Sequence, residues 1–457
     1  MSQPAPGNEL PRQLSLFDSI MLNVSSMIGS GIFLVPATVA LYLHSSFDII
    51  LAWVIGGIVS MFGALSYAEL GAMMPHTGGQ YIYLQRTYGP LWGFLFGWSS
   101  FTVIMTASIS AVAVGFAQYM TYFIPMNETE VKFVAIISIL FLTTVNIIGT
   151  KFGAQFQNVI TLSKIASLLV LIVSAAYFYF SSPQQPVQVV ELQGTEWGSY
   201  LSSFGMAMLA ILWAYDGWVD LSFVSGEVVQ PERSIHRSLI ISTAMIIVLY
   251  VAVNLSYLVV LPVSSMASSH FIASDAAVRM MGNFGASFIT ASVMISMLGA
   301  NQSFILTAPR IYYAMARKEL FFHSMQLLHA TRRTPVIGLL SQAAWASVLV
   351  LLGTFDQLIT YIIFAIWIFY ALSCAAVIIL RKRNPDAVRP YKTWGYPYTP
   401  IIFILFALAL VGNTIIENPM DAAIGLLLVF SGVPAYWYWK RKILLNEKDN
   451  NGTQRDL

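Results

Sequence analysis

Two glycines flank a serine at Gly29-Ser30-Gly31, inside the first long apolar stretch of the sequence. Glycine costs a helix interior about 1 kcal/mol relative to alanine, so the backbone is expected to unwind here. Unwound backbone at membrane depth is tolerated only where its polar groups line a cavity or meet a ligand. The N–H groups that begin the second half-helix would then form a site for a carboxylate.

A second break is predicted at Asp216-Gly217, where an ionisable residue and a glycine lie between Trp213 and Trp218. An aspartate near the middle of a membrane span costs about 2.5–3.5 kcal/mol on insertion scales. Close helix packing is the alternative explanation for either glycine-containing segment taken alone. The carboxylate of Asp216 either contacts a substrate or accepts a hydrogen bond from the local backbone.

Lys164 is a third ionisable residue within an apolar stretch. Its ammonium either reaches the membrane surface along its aliphatic stem or meets unwound carbonyls of neighbouring spans. A lysine fixed in that second way would replace a coupling sodium ion.

The composition indicates a polytopic membrane protein. The chain has 457 residues, of which 57% are hydrophobic and 10% are charged, whereas soluble domains carry about 25% charged residues. A net charge of +2 gives no reason to expect nucleic acid. The polar first ten residues lack the features of a signal peptide, so the first apolar block is expected to be retained.

Twelve apolar blocks predict membrane spans at 16–42, 47–73, 91–123, 131–149, 156–180, 200–229, 238–262, 283–314, 335–353, 356–380, 399–416 and 420–439.

Basic residues predict the orientation of these spans. When the termini and the loops after spans 2, 4, 6, 8 and 10 are placed on one side, that side collects 19 of the 23 Lys and Arg. The other side holds Lys132 and Arg279, and the remaining two, Lys164 and Arg310, lie within spans. The positive-inside rule therefore puts both termini in the cytoplasm and the protein in the cell membrane. The predicted organisation is a transmembrane domain over 12–443 with polar tails at 1–11 and 444–457.

The two breaks lie five spans apart, in the first and sixth blocks. Spans 1–5 (about 12–182) and 6–10 (about 198–382) then become repeats of opposite topology, followed by two extra helices over about 397–441. Paired interruptions at corresponding positions of two inverted halves indicate the binding site of a transporter.

Several motifs resemble those of a known family. Gly29-Ser30-Gly31-Ile32-Phe33, Ser66-Tyr67-Ala68-Glu69-Leu70-Gly71 and Gly78-Gly79-Gln80-Tyr81 resemble the first-half signature of the amino acid–polyamine–organocation superfamily. Trp213-Ala214-Tyr215-Asp216-Gly217-Trp218 and Arg389-Pro390-Tyr391-Lys392 resemble the L-type amino-acid transporter family within it, with a narrower similarity to bacterial alanine–serine–cysteine exchangers. The resemblance covers nearly the whole chain in the expected order.

This resemblance implies an all-α fold of 12 transmembrane helices with the leucine-transporter-type 5+5 inverted repeat and unwound helices 1 and 6. It implies that backbone N–H groups of Ser30 and Gly31 hold the substrate carboxylate and that Trp213 is the outer gate. Lys164 corresponds to a lysine that ties the first span to span 8. The residues then expected to bind substrate are Ser26, Met27, Gly29, Ser30, Gly31, Trp213, Ala214 and Asp216, with the carbonyls of Met27, Trp213 and Asp216 accepting from the α-ammonium.

The predicted function is sodium-independent exchange of small to medium neutral L-amino acids by alternating access. A proton-coupled symporter or uniporter, with Asp216, Glu69 and Lys164 as candidate titrating groups, is one alternative, and a carrier of cationic amino acids or polyamines is another. A receptor or channel is a remote alternative. No enzyme, cofactor or metal motif is present. Animal members of the family that the chain resembles carry a cysteine between spans 3 and 4 that links them to a glycoprotein partner. Since the loop at 125–130 contains no cysteine, no disulfide-linked heavy subunit is expected, and the protein is expected to work as a monomer.

Overall fold

A computed structural model describes residues 10–181, 197–269, 271–352, 355–417 and 419–453, and these ranges are α-helical. The first ten helices are α1 Leu16–Met27, α2 Gly31–Tyr42, α3 Ser46–Met73, α4 Gln80–Tyr88, α5 Pro90–Ser99, α6 Met105–Met120, α7 Glu128–Ile148, α8 Thr150–Ser181, α9 Trp197–Ala214 and α10 Asp220–Phe223. The next ten are α11 Pro231–Val260, α12 Val263–Ala267, α13 Ile272–Met281, α14 Asn283–Thr307, α15 Pro309–Ala316, α16 Val336–Leu352, α17 Phe355–Arg383, α18 Tyr398–Glu417, α19 Pro419–Phe430 and α20 Gly432–Thr453. Within the described ranges the chain forms no β-strand, only a bridge between Leu14 and Val228.

Ten stretches of helix in the described chain are long and apolar enough to cross a membrane. Because lipid offers no partners for backbone polar groups, such helices are the expected spanning elements, and the protein is a multi-pass membrane protein. Two further apolar helices, Tyr200–Ala214 and Val336–Leu352, are shorter. They fall on the sixth and ninth of the twelve predicted blocks.

The first and sixth predicted blocks are both interrupted. Residues 28–30 separate α1 from α2, and residues 215–219 separate α9 from α10. The sixth block does not resume as a long helix, because α10 has four residues and leads into a short 3-10 turn at Ser225–Glu227. The predicted block over 200–229 is therefore a long helix only as far as Ala214, and a full span over these residues stays a prediction. The glycine and the buried carboxylates that follow Ala214 disfavour a regular helix.

Several elements lie where loops or tails were predicted. Helix α4 occupies the connection between the second and third blocks, and α12 and α13 occupy the connection between the seventh and eighth. Helix α20 continues to Thr453, into the predicted polar tail at 444–457. These segments are too short or too polar for a hydrophobicity pattern to reveal them.

The interrupted helices lie at the centre of the bundle. In the most apolar stretches of Leu16–Tyr42 and Asn283–Ala316, 72% of residues are buried, against 28% in Thr150–Ser181 and Tyr398–Ile416. The outer helices expose large apolar side chains such as Phe133, Val159 and Leu405, which is the surface that lipid requires. The segment that carries the first break, Leu16–Tyr42, is thus one of the two most buried spans.

Capping fixes the start of α1. The Ser15 side chain accepts from the N–H of Asp18, and the carboxylate of Asp18 accepts from the N–H of Ser15 at 2.9 Å, which is a capping box. The same carboxylate accepts from Lys151 at 2.6 Å and from Asn158 at 2.7 Å, both on α8. The start of α1 is therefore tied to α8, on which Lys164 lies further along.

Candidate functional site

The end of α1 is held by donors from two other helices. Lys164 on α8 donates to the carbonyl oxygens of Ser25 at 2.9 Å and Ile28 at 2.7 Å. Ser296 on α14 donates to the carbonyls of Ile28 at 3.0 Å and Gly29 at 3.1 Å. Since the last carbonyls of a helix have no partner inside it, these side chains provide what the broken helix lacks. Lys164 is 1% exposed, so its ammonium does not reach the membrane surface.

The carbonyl of Met27, a predicted acceptor for the substrate ammonium, already has two donors. The Tyr250 hydroxyl donates to it at 2.6 Å and the N–H of Gly29 at 2.9 Å. A carbonyl oxygen has two lone pairs, so a substrate ammonium at Met27 would compete with these bonds. Its role in binding stays a prediction.

The two breaks touch each other. Gly217 has φ +110°, which favours glycine, and a Cβ there would come within 2.7 Å of the backbone of Ser26. A Cβ on Gly31 would come within 2.8 Å of the Cα of Ala214. Both glycines are therefore needed for the close approach of the unwound segments.

Two buried carboxylates follow the second break. The Tyr370 hydroxyl donates to Asp216 at 2.8 Å, and the Ser26 hydroxyl donates to Asp220 at 2.8 Å. Neither carboxylate belongs to an ion pair in the part of the chain that the structure describes. The hydroxyl partner of Asp216 comes from α17, and the backbone of Gly217 also hydrogen-bonds its carboxylate. Asp220 was not predicted, although a second aspartate four residues after Asp216 in an apolar stretch was a usable signal.

A cavity of about 90 Å³ lies between the breaks. All eight residues predicted to bind substrate line it, and Lys164 lies behind α1, outside the lining. Ser108 also lines it, and so do five residues that the sequence did not identify as site residues: Ala111, Val112, Gly217, Ala300 and Phe304. The structure thus brings the predicted residues together around one small space, and substrate contact with them stays a prediction.

Comparison with known proteins identifies the family. The profile of the Amino acid permease family matches residues 14–431, most of the chain. The chain belongs to the amino acid permease family. This permease is 32% identical to the serine/threonine exchanger SteT of Bacillus subtilis (strain 168), over 95% of its own length and 98% of that protein. The expected membership of the amino acid–polyamine–organocation superfamily, with similarity to L-type transporters, is confirmed.

Two animal transporters match the permease over a similar extent. The b(0,+)-type amino acid transporter 1 of Mus musculus is 29% identical, over 94% of this chain and 88% of that protein. The human cystine/glutamate transporter is 28% identical, over 96% of this chain and 88% of that protein. The permease is therefore an amino-acid transporter, and the prediction that it is not an enzyme is confirmed.

Glu69, a candidate titrating group, lies in an ion-pair cluster of the permease away from the cavity. Arg381 contacts its carboxylate at 2.6 Å and Arg389 at 3.5 Å, while the N–H of Thr393 donates at 2.7 Å. A carboxylate held by two guanidinium groups keeps its charge. The Glu69 cluster therefore fastens the segment after α17 to α3.

Proposed function

We propose that this permease exchanges small neutral L-amino acids without sodium, by alternating access. The observation that carries the proposal is the Lys164 ammonium on the carbonyls of Ser25 and Ile28. A fixed positive charge already balances the oxygens that the break exposes. The chain therefore has no need of a bound sodium ion to stabilise the unwound segment.

The main-chain groups of a substrate fit the first break. The N–H groups of Ser30 and Gly31 begin α2, where the helix dipole favours a negative group. A substrate carboxylate placed there leaves the α-ammonium facing the second break, where Trp213 lies in the last turn of α9 and Asp216 in the unwound segment 215–219. The carbonyl of Trp213 also accepts from the N–H of Asp216 at 3.1 Å. The site is thus selective for an amino acid through groups that every amino acid has.

The size of the cavity supports a small side chain. One water needs about 10–15 Å³ of such volume, so about 90 Å³ holds roughly six to nine atoms. Alanine, serine and threonine have about six to eight non-hydrogen atoms, which matches this capacity. Ala111, Val112, Ala300 and Phe304 present apolar surface to that space, which favours uncharged side chains.

We also propose that the protein has twelve spans, of which the first ten form a 5+5 inverted repeat. We propose that it works as a monomer in the cell membrane, with both termini in the cytoplasm. The shorter apolar helices at Tyr200–Ala214 and Val336–Leu352 complete the twelve. The excess of Lys and Arg on the terminal side supports this orientation. Cys374 is buried, which supports a subunit without a disulfide-linked partner.

Exchange is tested with the purified permease in liposomes. Labelled serine outside is expected to enter quickly only when unlabelled serine or alanine is inside, and equally fast in sodium or choline buffer. Uptake that ignores the internal amino acid would contradict exchange. Uptake that needs external sodium would contradict the role given to Lys164. Competition by leucine, arginine and glutamate defines the substrate class.

Proton coupling is a second candidate, favoured by the two buried carboxylates at the site. Asp220 has a hydroxyl partner in Ser26 but no ion pair with any residue that the structure describes, and a carboxyl group so placed can bind and release a proton. Under this mechanism a pH gradient alone drives accumulation into empty liposomes, and Asp220→Asn removes that accumulation. No accumulation in the wild type excludes proton coupling and leaves exchange.

A further inference from the structure

A second and larger cavity lies at the end of the molecule where the chain enters α1. Its volume is about 570 Å³, more than six times that of the cavity between the breaks. Pockets that hold small molecules have about 300–1,000 Å³. The walls come from the segment before α1, the loop before α4, α4 itself, the turn after α10 and the end of α15: Leu10, Pro11, Arg12, Pro75, His76, Thr77, Ile82, Gln85, Arg86, Gly226, Tyr313, Ala314, Arg317 and Lys318.

The charged side chains that line this cavity in the part of the chain that the structure describes are all basic. Arg12, Arg86, Arg317 and Lys318 line it together with His76, and no aspartate or glutamate of the described residues does. Elsewhere near this end, basic side chains have acidic partners within 4.0 Å, as Lys151 has Asp18 and Arg310 has Glu227.

Three of the lining cations have no such partner. No carboxylate of the described residues lies within 4.0 Å of Arg12, Arg86 or Lys318. The Arg86 guanidinium instead faces the His76 ring at 3.4 Å. Cations gathered in one cavity repel each other unless an anion joins them.

We propose that this cavity binds a phosphate group, carried either by an anionic lipid or by a soluble phosphate. Arginine presents a planar set of donors that matches phosphate oxygens in pairs, and lysine adds a compact charge. Two arginines and a lysine, Arg12, Arg86 and Lys318, around one space suit an anion with several oxygens. A neutral amino acid would leave the charge of these three side chains unbalanced, so the ligand of this cavity differs in class from the transported substrate.

Because of where the cavity lies, a ligand bound in it affects the movement of the helices around it. The N–H groups of Gln13 and Leu14 donate to the carbonyl of Glu227, and the Ser225 hydroxyl donates to the carbonyl of His76. These bonds hold together the start of α1, the turn after α10 and the loop before α4. A phosphate that joins Arg12 to Arg86 on α4 and to Lys318 just after α15 crosslinks the segment before α1 to these parts. It therefore stabilises this conformation, and it slows exchange, which requires the interrupted helices to move.

The first arm of the test measures binding of inorganic phosphate by the full-length protein in a neutral detergent. The melting temperature is followed against phosphate concentration, with chloride at matched ionic strength as the reference. The second arm compares exchange rates in phosphatidylcholine liposomes with and without phosphatidylglycerol. A phosphate-dependent rise in melting temperature identifies a soluble ligand. Slower exchange with phosphatidylglycerol but no phosphate effect identifies a lipid headgroup.

Variants connect either effect to the cavity. In Arg86→Gln/Lys318→Gln, each removed charge is expected to weaken binding roughly tenfold, which is about 1.4 kcal/mol. Arg233→Gln/Lys382→Gln removes the same charge from exposed residues outside the cavity and is expected to behave as wild type. Arg12→Gln alone is a milder variant in case the double variant folds poorly. Equal responses of cavity and control variants, or no response in either arm, overturn the proposal.

Discussion

The ammonium nitrogen of Lys164 lies 2.7 Å from the carbonyl oxygen of Ile28, where α1 unwinds. A buried cation is costly unless it is compensated, and so is a carbonyl that has lost its helical partner. The hydrogen bond between the ammonium and the carbonyl offsets the cost of burying both groups. Because Ser296 on α14 donates to the same carbonyl, the break is fastened to two helices at one atom, and movement of α1 requires both bonds to change.

Removing this ammonium is expected to abolish most exchange. In Lys164→Ala the carbonyls of Ser25 and Ile28 lose a charged donor, and bonds to charged groups contribute about 1.5–3 kcal/mol each. Exchange in liposomes should fall roughly tenfold or more, since tenfold is about 1.4 kcal/mol. Lys132→Ala changes a surface ion pair and serves as the control. A wild-type rate in Lys164→Ala would remove the lysine from the mechanism.

Gly299 gives an independent way to displace the same lysine. A Cβ at this position of α14 would come within 2.5 Å of the Cε and 2.8 Å of the Nζ of Lys164, and closer still to the Cγ2 of Ile160 on the same helix α8. Overpacking of this kind costs about 1–3 kcal/mol, so Gly299→Ala should reduce exchange while Lys164 remains present. Gly412→Ala is the matched control, because nothing lies within 4 Å of its added Cβ. If both variants exchange at the same rate, the position of the ammonium does not matter.

Two neighbouring glycines should respond differently to the same substitution. A Cβ on Gly31 would clash with the backbone of Ala214 at 2.8 Å, whereas a Cβ on Gly29 would meet Ala300 at 3.8 Å, an ordinary contact. Gly31→Ala is therefore expected to separate the two breaks and weaken serine binding roughly tenfold, or about 1.4 kcal/mol. Gly29→Ala should have a clearly smaller effect. Binding is measured by the protection that serine gives against thermal unfolding, and equal losses would argue against contact between the breaks.

The sequence predicts where the helices are interrupted better than it predicts which side chains bond to the interrupted segments. Gly31, Asp216 and Lys164 are unusual residues for an apolar helix, so each could be recognised without knowing which way it faces. Ser296 and Tyr250 could not, because serine and tyrosine are common in such helices and their role depends on helix rotation. Ala111, Val112, Ala300 and Phe304 line the cavity but look like any other apolar residues. A helix that is apolar all round gives no sign of which face is central.

The buried pair of Glu227 and Arg310 is expected to matter for folding more than for binding. The two side chains are at most 2% exposed and contact each other at 2.7 Å, with Arg310 also donating to Thr150. Breaking a buried pair from one side costs about 3–5 kcal/mol, because the remaining charge is uncompensated. Arg310→Met should therefore lower the melting temperature strongly, and Arg310→Met/Glu227→Gln should recover part of the loss. A double variant that is less stable than Arg310→Met would contradict this account.

Phe304 is expected to limit the size of the transported side chain. It lies on α14 and is the largest apolar residue from that helix in the cavity lining. Phe304→Ala opens space beside Ala111 and Ala300, and each methylene that then fits is worth about 1–3 kcal/mol in a hydrophobic pocket. Leucine should therefore compete with labelled serine at least about tenfold better in this variant than in the wild type, while alanine should compete slightly less well. Phe156→Ala removes a half-buried ring that packs against the same apolar cluster as Phe304 but does not line the cavity, and it controls for general loosening of the bundle. If the order of competitors in Phe304→Ala is the same as in the wild type, the side chain of the substrate does not point toward Phe304. It would then point toward Ser108 on α6 or Trp213 on α9, and the substrate would have to bind in the opposite orientation about its α-carbon.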